Sequence, residues 1–227
     1  MKHLLLLHGA IGAKDQLQPL AQSLSATYSV HLFNFPGHGG KEMSGEFSIK
    51  AFAHQVLQWL KEHNIKRTNI FGYSMGGYVA MYLAAHHPDV VEKLVTLGTK
   101  YEWNETIAAK EAGMLDPEAI ERKIPKFAVQ LHQRHQPADW KIVLQKTAAM
   151  LLDIGRNPPL TAEVLARISA PVLLLIGDRD KMVTLEETVN VFRLLTSGQL
   201  GVMPSTQHPI ETVDVEQLSS LMIKFLQ

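Results

Sequence analysis

Residues 70–80 read Ile-Phe-Gly-Tyr-Ser-Met-Gly-Gly-Tyr-Val-Ala, and they pass from an apolar strand, through a serine turn, into a helix. Gly72 and Gly76 lie two residues before and two residues after Ser74, and small residues there permit a sharp turn that exposes the hydroxyl. The start of a helix also offers free N–H groups and the positive end of the helix dipole. This stretch predicts a nucleophilic serine, although five such residues also occur in ordinary turns.

Apolar runs on both sides of this turn predict an alternation of strands and helices. We predict strands at 4–7, 28–33, 69–72, 91–97, 171–176 and 198–203. Helical spacing of apolar residues predicts helices at 17–24, 47–63, 75–86, 162–168 and 213–226, and Thr184 to Glu187 form a predicted capping box for one more. This order predicts an α/β fold with a mostly parallel sheet of about six strands and helices on both faces.

The strand rhythm stops between residues 100 and 157, where the sequence predicts a helical insertion. Asp116 followed by Pro117 is a helix start, and Asp139 is a second candidate. We therefore expect a core of residues 1–99 and 158–227, with a cap of residues 100–157. The cap is rich in large apolar side chains, which we expect in its own core and at its seam with the main domain rather than in the lining of a pocket. They are Trp103, Met114, Leu115, Phe127, Leu131, Trp140, Met150 and Leu151.

Composition excludes several classes of function. Lys plus Arg and Asp plus Glu are equal at 22 each among 227 residues, so no net positive field favours nucleic acid or anionic lipid. The chain has no cysteine, which excludes a thiol nucleophile and cysteine metal ligands. The apolar run at 4–7 is too short for a signal peptide, and no stretch is long enough to cross a membrane. We expect a cytoplasmic protein that acts on small molecules.

The loops that follow parallel strands meet at one edge of the sheet, where ligands bind. A serine hydroxyl needs an adjacent base, normally a histidine that a carboxylate orients. If the acid follows the strand at 171–176, a chain order of serine, aspartate and histidine leaves His208, the only histidine after Asp180. The spacing of His132 and His135 suits metal ligation on a helix, but the absence of nearby acidic partners makes ordinary structural roles the better interpretation.

Several motifs in this order resemble those of the α/β-hydrolases, in the broad family that has a helical cap. They are His8-Gly9, Pro36-Gly37-His38-Gly39, Gly72-Tyr73-Ser74-Met75-Gly76, Gly177-Asp178-Arg179-Asp180, and His208 followed by Glu211. The resemblance covers nearly all of the chain except the cap. One departure is Asn34, where many relatives have Asp before the Pro-Gly-His-Gly motif; we expect it to fasten this loop.

The resemblance implies roles for five residues. Ser74 would be the nucleophile, His208 the general base and then acid, and Asp180 the triad acid, with Asp178 as the alternative. The family builds its oxyanion hole from the N–H after the nucleophile and one N–H from the first loop. These positions are Met75 and Ala10, or Ile11 if the loop register differs. No metal or organic cofactor is implied.

The leading hypothesis is a serine hydrolase that cleaves small, apolar carboxylic esters through an acyl-enzyme. The same fold and triad also serve carbon–carbon bond hydrolases, a lyase of menaquinone synthesis and perhydrolases, and fold alone does not choose among them. A non-catalytic small-molecule binding protein, as in plant hormone receptors, is the alternative of a different class. The oligomeric state and the natural substrate stay open.

Overall fold

A computed structural model describes all 227 residues and contains one sheet of six parallel strands. The strands are β1 (His3–Leu7), β2 (Ser29–Phe33), β3 (Thr68–Tyr73), β4 (Val91–Leu97), β5 (Val172–Gly177) and β6 (Gly198–Met203). Their order across the sheet is β2-β1-β3-β4-β5-β6, and every neighbouring pair is parallel. The predicted fold class is confirmed, and β3, which leads to Ser74, lies in the interior of the sheet.

Ten α-helices connect and cover these strands. They are α1 (Gln18–Leu24), α2 (Ile49–Glu62), α3 (Met75–His86), α4 (Glu105–Gly113), α5 (Pro117–Lys123), α6 (Pro125–His135), α7 (Trp140–Arg156), α8 (Ala162–Leu165), α9 (Leu185–Leu194) and α10 (Val215–Leu226). None of them is both long and apolar enough to span a lipid bilayer.

Capping side chains decide where several helices begin. The helix predicted at 47–63 starts at Ile49 because the Ser48 hydroxyl accepts a hydrogen bond from the Ala51 N–H at 3.1 Å. The last helix was expected from residue 213, but Asp214 accepts from the Gln217 N–H at 3.0 Å and so caps a helix that starts at Val215. The predicted capping box of α9 is present, with reciprocal bonds between Thr184 and Glu187.

The core lies on both faces of the sheet. Along β1, Leu5 and Leu7 pack into one buried cluster with α2 and α3, whereas Leu4 and Leu6 pack into another with α1 and α10. All four leucines are fully buried. Strand side chains alternate between faces, so a continuously apolar strand is what a sheet covered on both sides requires.

Five helices, α4 to α8, lie between β4 and β5, and the first four of them fall within residues 100–157, where the sequence predicted an insertion. Asp116 and Asp139 cap α5 and α7 as expected. The insertion has a small core of its own, formed by Ile120, Ala128, Leu131, Trp140 and Leu144. Met150 and Ile154 of α7 instead join the main core. Residues 100–157 therefore pack against the sheet domain, and treating them as a separate cap domain remains our interpretation.

Candidate active site

Ser74 lies at the turn between β3 and α3 in a backbone conformation that side chains rarely adopt, with φ 51° and ψ −117°. Its N–H donates to the Leu97 carbonyl at 2.9 Å. A Cβ atom on Gly72 would lie 2.5 Å from the Gly76 carbonyl oxygen, and one on Gly76 would lie 2.4 Å from the Leu7 carbonyl oxygen. The flanking glycines are therefore needed because backbone segments pass within contact distance of them.

His208 is held by Asp180, which lies in the loop after β5. The His208 Nδ1 lies 2.7 Å from the Asp180 Oδ2, and the two side chains are 11% and 2% exposed. The other carboxylate oxygen accepts from the N–H groups of Met182 and Val183, at 2.8 and 2.9 Å. Burial raises the pKa of Asp180, but the bonds and charge of His208 and these N–H groups outweigh it, so the pKa lies below its ordinary value.

Asp178, the alternative acid, has a different partner. Its Oδ1 accepts from the Thr206 N–H at 3.1 Å, which ties the loop after β5 to the loop that precedes His208. Asp178 therefore bonds across two loops and not to His208. The structure thus places Asp180 against His208 and leaves Asp178 exposed beside it.

One cavity brings together four of the five predicted site residues. It encloses about 530 Å³, part of it open to solvent, and its lining includes Ser74, His208, Ala10 and Met75. Asp180 lies behind His208. The Ala10 N–H donates to no backbone carbonyl, and the Met75 N–H belongs to the first turn of α3, where helical N–H groups have no intrahelical partner. Both groups are available as hydrogen-bond donors at this cavity.

The first loop has the register that places Ala10 at the cavity. A Cβ atom on Gly9 would lie 3.3 Å from the Ser74 Cβ, so this loop passes directly over the serine. Ile11, the fallback position for the second N–H donor, does not line the cavity. Its backbone has a positive φ of 51°, and its carbonyl bonds to the cap.

Apolar side chains from both the core and the cap form the cavity walls. They are Ile49, Tyr78, Trp103, Leu151, Ile154, Met182 and Val183. Among the cap residues that the sequence singled out, Trp103 and Leu151 line the cavity, whereas Leu131 and Trp140 are buried in the cap's own core. Met114 is half exposed on the surface. Residues of the cap therefore form part of the cavity wall and part of a separate buried cluster.

Two charged residues of this cavity were missed by the sequence analysis. The Lys100 Nζ lies 3.6 Å from the Glu111 Oε1, and both side chains line the cavity and are mostly buried. No cation of the cap stood out in the sequence as a carboxylate clamp, because the two residues lie on different elements with no periodic spacing. The one feature of the sequence that indicated a role for Lys100 is its position in the loop after β4, at the sheet edge where ligands bind.

His135, at the end of α6, joins the cap to two core loops. Its Nε2 donates to the Ile11 carbonyl at 3.0 Å, and its Nδ1 accepts from the Gly39 N–H at 3.3 Å. Burial is the main reason why its pKa falls to about 4. His132 is exposed on the same helix, and no group of side chains in the structure could hold a metal ion. No local pattern in the sequence predicted the His135 contact.

Asn34 fastens its loop, as the sequence analysis expected. Its Oδ1 accepts from the Lys14 N–H at 2.7 Å, and its Nδ2 donates to the Gly39 carbonyl at 2.9 Å. An aspartate could accept the first bond but not donate the second. The side chain therefore connects the first loop with the Pro-Gly-His-Gly loop.

A parallel sheet with a serine at a strand-to-helix turn, and a cavity that this serine shares with a histidine bonded to an aspartate, are features of the α/β-hydrolases. The profile of the alpha/beta hydrolase fold family matches residues 2–139, and the chain belongs to this family. The predicted family is confirmed, and with it the prediction of an enzyme.

Relatives and solved structures agree with this placement. The chain is 28% identical to a thermostable monoacylglycerol lipase of a Bacillus species, over 94% of this chain and 84% of the lipase. It is 27% identical to a pimeloyl-[acyl-carrier protein] methyl ester esterase of Neisseria meningitidis, over 100% of this chain and 94% of the esterase. A thermophilic esterase from Thermogutta terrifontis superimposes with a TM-score of 0.80, covering 100% of this chain and 89% of that one. At 20% identity, this last likeness shows the fold.

Proposed function

We propose that this protein hydrolyses carboxylic esters of small molecules with Ser74, His208 and Asp180 as its catalytic triad. The observation that carries the proposal is the shared cavity of Ser74 and His208, with the Asp180 carboxylate on the far side of the imidazole. A lipase and an esterase among the relatives support ester cleavage as the reaction.

The hydrogen bond between His208 and Asp180 favours the tautomer that this chemistry needs. With the proton of Nδ1 donated to the carboxylate, Nε2 carries the lone pair that can accept the proton of the Ser74 hydroxyl. The serine oxygen attacks the ester carbonyl, and the protonated His208 then gives its proton to the departing alcohol. Water deprotonated by His208 cleaves the acyl-enzyme and releases the acid.

The tetrahedral intermediate needs donors for its oxyanion, and the N–H groups of Ala10 and Met75 supply them in this proposal. Both residues line the cavity beside Ser74, and the Met75 N–H also lies at the positive end of the α3 dipole. A donor of this kind contributes about 3 kcal/mol to stabilising the transition state. The chemistry requires no metal or organic cofactor.

The cavity favours acyl groups that are apolar and modest in size. Most of its lining is hydrophobic, and such a wall favours an apolar acyl group over a polar or charged one. Trp103 and Leu151 of the cap contribute to the wall, so the cap helps to set the acyl length that is accepted.

Initial rates on p-nitrophenyl esters from acetate to decanoate test the proposal. We expect turnover of the short esters by the wild-type protein and a loss of at least roughly 10³-fold in kcat for Ser74→Ala and for His208→Ala. Ser220→Ala, which changes an exposed serine on α10, serves as the matched control and should keep wild-type activity.

Labelling with a fluorophosphonate probe distinguishes an enzyme with an activated serine from a protein that only binds small molecules. Rapid labelling of the wild type and none of Ser74→Ala is the expected result. A folded Ser74→Ala variant that keeps full esterase activity, or a wild type that the probe does not label, would contradict the assignment of Ser74 as nucleophile.

A further inference from the structure

The cavity beside Ser74 contains a buried ion pair that the proposed triad does not use. The Lys100 Nζ and the Glu111 Oε1 are 3.6 Å apart, with side chains 17% and 9% exposed. They are the only lysine, arginine, aspartate or glutamate side chains in a lining that is otherwise largely apolar. Removing two charges from water is costly, and a pair of this kind stabilises a fold less than apolar packing would. A role in ligand binding therefore explains the position of this ion pair in the cavity better than a role in stabilising the fold.

The backbone on both sides of Lys100 is fixed close to the reacting groups. The preceding residue, Thr99, donates from its hydroxyl to the Ser74 carbonyl at 3.2 Å. The following residue, Tyr101, donates its N–H to the buried Glu187 carboxylate at 2.9 Å. Lys100 thus leaves the sheet edge from a rigid segment tied to the nucleophile's own turn, as a specificity group requires.

The geometry of the pair indicates which group of a ligand it can bind. A separation of 3.6 Å is longer than a charge-assisted hydrogen bond of about 2.8 Å, so the direct contact leaves bonding capacity on both partners. A hydroxyl satisfies both at once, because its oxygen accepts from the ammonium while its proton is donated to the carboxylate. A substrate carboxylate would be attracted by Lys100 but repelled by Glu111, so the pair offers no net charge to an anion.

We propose that Lys100 and Glu111 form a subsite for a hydroxyl group of the substrate, so that neutral hydroxylated esters are preferred. The subsite rests on the proposed ester hydrolase function, because it lies in the same cavity as Ser74. In an apolar cavity, a small number of polar groups fixes the orientation of the ligand. The pair would hold one end of the ester while the triad acts on the carbonyl.

Two matched pairs of esters test this subsite. Hydroxyethyl butyrate has a hydroxyl where propyl butyrate has the terminal methyl group of its alcohol. Methyl ω-hydroxyhexanoate has a hydroxyl where methyl heptanoate has the terminal methyl group of its acyl chain. We expect kcat/KM to be at least roughly tenfold higher for the hydroxylated member of one pair, since hydrogen bonds to charged groups have about that effect. The pair that shows the preference tells which side of the ester reaches the subsite.

The variant that tests the two residues removes both charges together. Lys100→Met combined with Glu111→Gln keeps the volume and avoids an unpaired buried charge, which would destabilise the fold. The hydroxyl preference should fall to about one in this variant. Lys141→Met, which breaks an exposed ion pair elsewhere in the cap, is the matched control and should keep the preference.

Three results would overturn the subsite. These are equal kcat/KM values within both pairs in the wild type, an unchanged preference in the double variant, or a stronger preference for a half-ester that carries a free carboxylate. Binding of the same esters to Ser74→Ala, followed by ligand-observed NMR, tests the subsite even if nothing is turned over. If Ser74→Ala binds the hydroxylated esters selectively while the wild type cleaves no ester, the hydrolase function is contradicted and the subsite is retained. If the wild type cleaves esters without any hydroxyl preference, the hydrolase function is retained and the subsite is contradicted.

Discussion

At the scale of single residues, the two aspartates after β5 differ in their hydrogen-bond partners, and this difference separates their expected roles. Asp180 bonds to His208 at 2.7 Å, and Asp178 bonds to the Thr206 N–H at 3.1 Å. In the proposed mechanism, Asp180→Asn would disfavour the His208 tautomer that the serine needs. We expect kcat to fall by roughly 10³- to 10⁴-fold with little loss of stability. Initial rates and thermal unfolding of the variant measure both effects.

Asp178→Asn is the matched control for that substitution. The amide oxygen can still accept from the Thr206 N–H, so the loop should keep its place and kcat should stay within about threefold of wild type. If Asp178→Asn abolished turnover while Asp180→Asn retained it, the assignment of the triad acid would be reversed.

At the scale of elements, the end of α6 ties the cap to three core loops. His135 bonds to the Ile11 carbonyl and to the Gly39 N–H, and the neighbouring Arg134 pairs with Glu211 at 3.3 Å, just after His208. Ile11 follows Ala10, the proposed oxyanion donor. His135 is therefore expected to act as a positioning residue, which holds the first loop in its unusual backbone conformation.

Replacing His135 by leucine should affect catalysis more than binding. His135→Leu leaves the Ile11 carbonyl and the Gly39 N–H without their partner, and a displaced oxyanion donor lowers kcat by roughly 10- to 100-fold with a smaller change in KM. His135→Gln, whose amide can still donate to Ile11, should restore part of kcat. The exposed His132→Leu on the same helix is the control, and an equal loss in that variant would contradict the positioning role.

The sequence predicted the elements of the core closely and the contacts of the cap hardly at all. The bounds of α3, β4 and β6 agree with those predicted. They are determined locally, by apolar residues and by the glycine, proline and polar residues that end each element. Ser74 and His208 could be found since each follows a recognisable strand on a common sheet edge. Lys100, Glu111 and His135 take their roles from how the cap packs on the core, and no local pattern encodes that packing.

At the scale of the whole molecule, three buried histidines connect the strand ends with the cap. The rings of His8 and His38 are 5.2 Å apart and those of His38 and His135 are 5.6 Å apart. Burial lowers the pKa of His8 well below its ordinary value, that of His38 to about 3 and that of His135 to about 4. The folded protein therefore keeps all three rings neutral under mildly acidic conditions in which unfolded histidines are protonated.

This difference makes the fold sensitive to acid. An unfolded histidine takes up a proton as the pH falls through about 6.5, whereas His38 in the folded state does so only near its pKa of about 3. Between these two pH values the unfolded state binds more protons than the folded state. The free energy of unfolding therefore decreases as the pH is lowered through this window. For a single histidine such as His38, linkage gives a loss of about 2 kcal/mol between pH 7 and pH 5.

Urea unfolding at pH 7 and pH 5 measures the contribution of His38 directly. His38→Asn keeps a side-chain donor for the Pro36 carbonyl, which the ring contacts at 2.9 Å, but it cannot titrate. The variant should be less stable at pH 7, because a smaller side chain leaves the Phe47 and Phe52 rings less well packed. Its loss of stability between the two pH values should nevertheless be about 2 kcal/mol smaller than that of the wild type. An identical loss in both proteins would mean that His38 titrates alike in the folded and unfolded states, and the acid sensitivity would then arise elsewhere.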